Sequence, residues 1–484
     1  MTNLDYAVFA AYMVGLLAMG AIFARRMKNS VDMFAAGNQA PWWVAGLSGF
    51  MTSFSAGTFV VWGGVACRLG MVAVAILMTN GIAALLVGYT VATRWRRLGI
   101  TTAAEYVEMR FGRNAVYLYT SLFMVVRMFA VGIALYSIAV VLCALVPLPE
   151  DNYFRDPATG HLAVPWAVVL GGGVVITYTV IGGLWAVLMN DVFQFIVLAL
   201  STLVTIPLCL SKMGGIGRFV ADSPDGFLMP AAGEYTWLFL AIFSVMTYLR
   251  VGSEWAFVQR YLCVPTPKDA KKAACLFGIL YLVSPILWML PPMLCRVMRP
   301  EVNHEQAYIV ACQMVLPAGM IGLMLAAMFS ATASMADSEL NVFAGVLTRD
   351  FYARLFKLQN AERHLMWAGR LFVIAIGAIV LLIALVLPRI GGAEKTVLSI
   401  TGLFAGPMLL PSIWGLFSRR IGWNAVWLSA VFGFAAGGLL KFGLLRTEQW
   451  LGDGGTLGFV MQWIMSNRWT VELMVGLGAP LTVL

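Results

Sequence analysis

Apolar runs of about 20 residues recur from one end of this chain to the other, and a run of that length crosses a bilayer core as a helix. They lie near 4–24, 42–66, 71–93, 115–145, 164–184, 188–211, 235–259, 273–295, 309–345, 366–388, 396–417 and 422–444. A further run opens near 469 and stays apolar to Leu484, which reads as a short final helix or one that continues. The expectation is an all-α polytopic membrane protein with about 13 spans. Composition agrees: 61% of the 484 residues are hydrophobic and 11% are charged, against about 25% charged in soluble domains.

The net charge of +9 does not point to nucleic acid. Basic residues gather in alternate loops: Arg25, Arg26 and Lys28; Arg94 to Arg113; Arg260 to Lys272; Arg349 to Arg370; Arg419 and Arg420. Cytoplasmic loops carry such an excess, so the N-terminus is placed outside a cell inner membrane. The first run follows no basic leader and carries Asp5, so it reads as a span and not as a signal peptide. The 7 cysteines are scattered and form no C-x-x-C pair, which suits packing better than metal or disulfide chemistry. Thr101 or Thr102 caps a short amphipathic helix in the loop "ITTAAEYVEMRFGRN".

Two spans are polar where lipid gives no reason for it. "SGFMTSFSAGTF", Ser48 to Phe59, carries two glycines and five hydroxyls. Alone it fits either close helix packing or an interrupted helix. "TYLRVGSEWAFVQR" is a second such place, with Gly252 and Ser253 between Arg250 and Glu254. Broken spans at matching places in two halves point to a transporter binding site. Spans 2–6 and 7–11 form five-helix sets, each opening on a broken helix, and five is odd, so the second set runs inverted. The division is 1–34 for an extra helix and basic loop, 35–212 and 213–420 for the two repeats, and 421–484 for C-terminal helices.

Other polar residues have two readings each. Ala331, Ser334 and Ser338 share one helix face, suited to a hard cation or to a hydrated helix end. Arg127 either pairs with a carboxylate such as Glu254 or grips a substrate carboxylate as a fork. Arg250 and Glu254 are i, i+4 and are expected to pair with each other. Asp191 opens a span, either capping it or attracting a departing cation. No phosphate loop, zinc spacing or nucleophile elbow is present, so no enzyme and no catalytic residue is expected.

Together these segments resemble the sodium:solute symporter family. "DMFAAGNQAPWWVAGLSGFMTSFSAGTF" looks like its first core helix with the lead before it. "TTAAEYVEMRFG", "YTVIGGLWAVLMNDVFQ", "VQRYLCVPTPKDAKKA" and "LAAMFSATASMADSELNVFAGVLTRDFY" are similar to further family segments, with Asn190 in place of a usual Thr. The resemblance implies the leucine-transporter fold and sodium as coupling ion, with no organic cofactor. It implies carbonyls from Met51, Phe54 and Ala331 and the hydroxyl of Ser334 as ion ligands. The next ligand is normally Ser or Thr and here is Met335, whose thioether is a weak acceptor. For a small-molecule solute the resemblance implies Ser55, Gly57, Thr58, Asn80, Arg127, Glu254, Trp255, Thr401 and Phe404, with Asp191 on the ion's exit path. Gly57 and Thr58 disfavour a sugar, and Arg127 favours a carboxylate or zwitterion. A membrane sensor domain of this family, an uncoupled relative and a proton-coupled one using Asp337 are the alternatives.

Overall fold

The computed structural model describes residues 2–24, 29–358, 361–387, 406–440, 463–464 and 466–484. The protein is a helical bundle in which seven helices among the described residues are long and apolar enough to span a membrane. Shorter apolar helices cover Thr58–Leu69, Trp237–Ser253 and Gly406–Phe417.

Helix α1 (Asn3–Ala24) packs beside the site-bearing helices. Its Asp5 is fully buried. The carboxylate accepts the Thr2 amide at 2.7 Å and the Gly322 amide at 3.0 Å. First-turn amides of a helix have no partner within it, so one acid ties down two helix starts. A Cβ at Gly322 would stand 2.2 Å from the Asp5 carbonyl, which makes glycine the residue that permits the approach.

The first polar span is interrupted as expected. Helix α2 (Trp42–Thr52) stops, residues 53–55 are non-helical, a π segment covers Thr58–Trp62, and α3 (Gly63–Leu69) follows. Breaking the ladder frees backbone groups, and each must find a partner. The Ala56 amide donates to Thr332 Oγ1 at 2.8 Å. Next come α4 (Met71–Thr90) and the amphipathic α5 (Ala103–Phe111). Thr102 caps α5 by accepting the Glu105 amide, while Glu105 reaches back one residue past the cap and accepts the Thr101 amide. Helix α6 is Arg113–Leu145.

Helix α7 (Val164–Met213) covers the fifth and sixth spans with no loop between them. Gly183, at φ 53° and ψ −157°, is the one non-helical residue inside it. The contacts show that the chain reverses there. Before Gly183, Gly171 lies by Phe329 and Tyr178 reaches Asp337, so this arm runs alongside the helix that carries them. After it, Phe193 stacks on Tyr12 of α1, while Tyr178 sits near Gly20, so the second arm runs back. Asp191 therefore sits in the interior of a helix, eight positions after the turn. The capping role expected for it is wrong, because the helix begins at the glycine and not at the acid.

The second interruption falls at Glu254, just past the expected Gly252–Ser253. Helix α8 (Trp237–Ser253) ends, Glu254 is extended at φ −66° and ψ 131°, and α9 (Trp255–Leu262) begins. Helix α10 (Pro267–Met298) packs closely on α4. The small residues Gly81 and Gly278 face each other there, where a Cβ on Gly81 would be 2.8 Å from the Gly278 carbonyl. Helix α11 (Met320–Val346) is buried almost throughout and crosses the centre of the bundle. Helices α12 (Glu362–Val386), α13 (Trp423–Gly438) and α14 (Arg468–Leu481) lie outside it. All seven cysteines are free.

Candidate functional site

The two interruptions meet at one cavity of about 200 Å³. Ser53, Ser55, Gly57 and Thr58 come from the first break, Arg250 and Glu254 from the second. Helix α6 adds Phe123 and Arg127, and α11 adds Met335. A side chamber of about 100 Å³ adjoins it, and both spaces are lined by Ser53, Thr58, Trp62 and Arg250. Asn80 of α4 lines the chamber.

Arg127 is held by two acids. Its Nη2 lies 2.9 Å from Glu254 Oε1 and 2.6 Å from Glu339 Oε1, and its Nε donates to Glu339 at 2.8 Å. Glu254 Oε1 is in charge contact with Arg127 but out of line for a hydrogen bond, so it keeps acceptor capacity. The structure thus shows the pairing reading of Arg127.

Arg250 does not pair with Glu254. Its Nη2 donates to Asn80 Oδ1 at 2.5 Å, and its guanidinium lies 5.8 Å from the centre of the Phe257 ring. The i, i+4 expectation fails because the helix breaks at Glu254, and the spacing places side chains together only on a continuous helix.

Below the first break lies a sealed charge cluster. Asp191, fully buried, accepts from Ser48 and, at 2.5 Å, from Ser334. Arg260, 1% exposed, has its Nη2 at 3.6 Å from Asp191. It also donates to Ser48 at 2.9 Å, Ser338 at 2.5 Å and Gln259 at 2.8 Å. Asp337 accepts from Tyr178 at 2.6 Å. The face Ser334–Ser338 is thus used in full, against α7 and α9.

The residues expected to hold sodium lie beside this cluster. Met51, Phe54, Ala331 and Ser334 are all buried. Ser334 gives its proton to Asp191, which leaves its oxygen lone pairs for a cation. Hard oxygen donors next to a buried carboxylate suit sodium. Met335, one residue on, turns its thioether to the cavity instead.

Of the residues expected at the solute, Ser55, Gly57, Thr58, Arg127 and Glu254 line the main cavity and Asn80 the chamber. Trp255 lines neither. It packs between Phe123, 5.3 Å away, and Phe343, 6.0 Å away, because the first turn of α9 points away from the cavity. Thr401 and Phe404 lie outside the described residues. Ser53 and Glu339 were missed. Ser53 sat in the quoted polar stretch and was findable, whereas Glu339 joins Arg127 from 212 positions away.

Two broken helices around a cavity that sets a few charged and hydroxyl side chains among apolar ones, with oxygen-rich faces behind it, define a secondary transporter. The sodium:solute symporter family profile matches residues 33–433, and the chain belongs to that family. It is a sodium-coupled symporter of a small organic solute, not an enzyme. The chain is 28% identical to the sodium/sialic acid symporter NanT of Aliivibrio fischeri, covering 90% of this chain and 86% of that protein. It is 27% identical to the sodium/sialic acid symporter SiaT of Proteus mirabilis, over 86% of this chain and 85% of that one. A sodium/glucose cotransporter of Vibrio parahaemolyticus is 26% identical, over 86% and 81%. The fold is similar to that of a substrate-bound, outward-open Na+-coupled sialic acid symporter. That match has a TM-score of 0.81 and 23% identity, and covers 100% of this chain and 97% of the other.

Proposed function

We propose that the protein carries a small carboxylate or zwitterion together with sodium across a cell inner membrane, with its N-terminus outside. The charged side chains of the cavity carry this reading: Arg127 and Arg250 face the same space as Glu254, with hydroxyls from the first break between them. A sugar needs no guanidinium, whereas a carboxylate is recognised by one. Relatives that carry sialic acid, an acidic sugar, agree with this choice.

Sodium is held by the carbonyls of Met51, Phe54 and Ala331 and by the Ser334 hydroxyl. The Asp191 charge beside Ser334 favours cation entry and marks the way out. The ion stabilises the first break, and the first break lines the solute cavity, so one ligand strengthens the other's site. The two five-helix sets, 35–212 and 213–420, move relative to one another around the cavity.

The test is uptake of radiolabelled carboxylates, amino acids and neutral sugars into proteoliposomes holding the purified chain. A sodium gradient should drive uptake of a charged solute and not of the sugars. Sodium-driven sugar uptake with no charged solute moved would sink the reading.

A further inference from the structure

The two guanidinium groups that face the cavity are not equivalent. Arg127 has its charge matched by two carboxylates within 2.9 Å. Glu254 and Glu339 already engage its Nη2 and Nε. An incoming carboxylate gains little there, because it would have to displace one of these acids from the guanidinium. Arg250 has no such company. Among the described residues no carboxylate stands within ion-pairing distance of it, and its partners are the neutral Asn80 amide and the Phe257 ring. Asn80 is itself oriented, since its Nδ2 donates to the Leu77 carbonyl at 3.1 Å. Arg250 is thus a fixed, half-buried cation without a counter-ion, and a buried charge in that state favours an anionic ligand.

Three more observations meet at this residue. Arg250 stands between the main cavity and the side chamber and lines both. Ser53 also lines both, and its Oγ is buried with no hydrogen-bond partner. Glu254, four residues on, lines the main cavity, with its Oε1 against Arg127 and without a hydrogen bond. A cation and an anion thus flank the cavity without touching each other. The chamber behind Arg250 has an apolar side made by Trp62, Ile76, Leu77, Phe243 and Met246, opposite the polar Asn80, Thr247 and Tyr281.

We infer that Arg250, and not Arg127, grips the solute carboxylate, with Ser53 donating to it, while Glu254 takes an ammonium group and the chamber takes an apolar substituent. The solute is then an α-amino acid, or a close analogue, with an apolar side group. Arg127 is a positioning residue that holds Glu254 and Glu339 in place. This assignment rests on the carboxylate-or-zwitterion reading above and narrows it.

The experiment measures binding to the purified full-length chain by titration calorimetry in saturating sodium and again with potassium in its place. The probes are leucine, its amine 3-methylbutylamine, its acid 4-methylpentanoate, and alanine. Leucine should bind at least tenfold more tightly than the amine or the acid. Arg250→Gln should reduce the leucine-to-amine affinity ratio by about 10- to 100-fold, and Arg250→Lys should recover part of it. Ile76→Phe, which fills the chamber, should weaken leucine about tenfold relative to alanine. Absence of leucine binding, equal affinity for leucine and the acid, or an unchanged ratio in Arg250→Gln would each overturn the assignment. Binding of all probes that ignores sodium would instead overturn the ion-coupling scheme and leave the Arg250 assignment standing. The melting temperatures of the unliganded variants show that each is folded.

Discussion

Two arginines sit at the heart of this protein, each against buried acids, and they do different work. Arg260 is 1% exposed and meets Asp191 through a frame of hydroxyls from Ser48 and Ser338. Arg127 has a side chain 15% exposed at the cavity edge, and grips Glu254 and Glu339 directly. The sealed cluster joins α2, α7, α9 and α11, so it holds the bundle together behind the first break. The cavity-side cluster joins α6, the second break and α11, so it shapes the wall that a solute meets. The boundary between them falls between two adjacent residues of α11: Ser334 bonds to Asp191, and Met335 lines the cavity.

The largest expected effect is at the sealed cluster. Arg260→Ala strands Asp191 in the interior, and breaking a buried pair this way costs about 3–5 kcal/mol. Thermal unfolding in detergent should show a large loss of stability. A melting point within a degree of the parent would mean that water reaches the cluster, and the contrast would collapse. Arg127→Ala should cost less, about 2–3 kcal/mol, since the cavity hydrates what is left behind. Adding Glu339→Gln should return part of that loss, and a double-mutant cycle measures the coupling. Additive losses would show that the pair is not energetically linked.

Ser334→Ala should leave the solute cavity intact and weaken the sodium response of uptake about tenfold, read as a higher half-saturating sodium concentration. Met335→Ser tests the neighbouring position. A hydroxyl there supplies the oxygen that the thioether lacks, and half-saturating sodium should fall about fivefold. No change would place the ion away from this face of α11. The smallest effect belongs to the surface pair Arg354–Glu108, which ties the end of the α11 segment to α5. Glu108→Gln should change stability by about 1 kcal/mol or less, and added salt should mask it.

Much of this was readable in the sequence, and the failures have physical causes. The first break was visible because glycines and hydroxyls at membrane depth need a reason. The second was found one residue early, since Gly252 and Ser253 remain helical and Glu254 carries the turn. Arg250 was misassigned because a helical spacing was applied across that turn. The capping reading of Asp191 failed because a span boundary inferred from hydropathy is not a helix end. The Arg127–Glu339 contact joins two distant helices, and no local pattern encodes it. Met335, expected as a departure from the ion-ligand pattern, lines the solute cavity.

The reversal at Gly183 has a consequence for how this chain is made. Two apolar arms are joined by one residue in a left-handed conformation, with no polar connector to hold the turn in water. With no connector between them, the two arms cannot be parted without breaking the turn. An epitope or charged tag inserted at Gly183 should therefore lower the amount of full-length chain in the membrane fraction before any transport is measured.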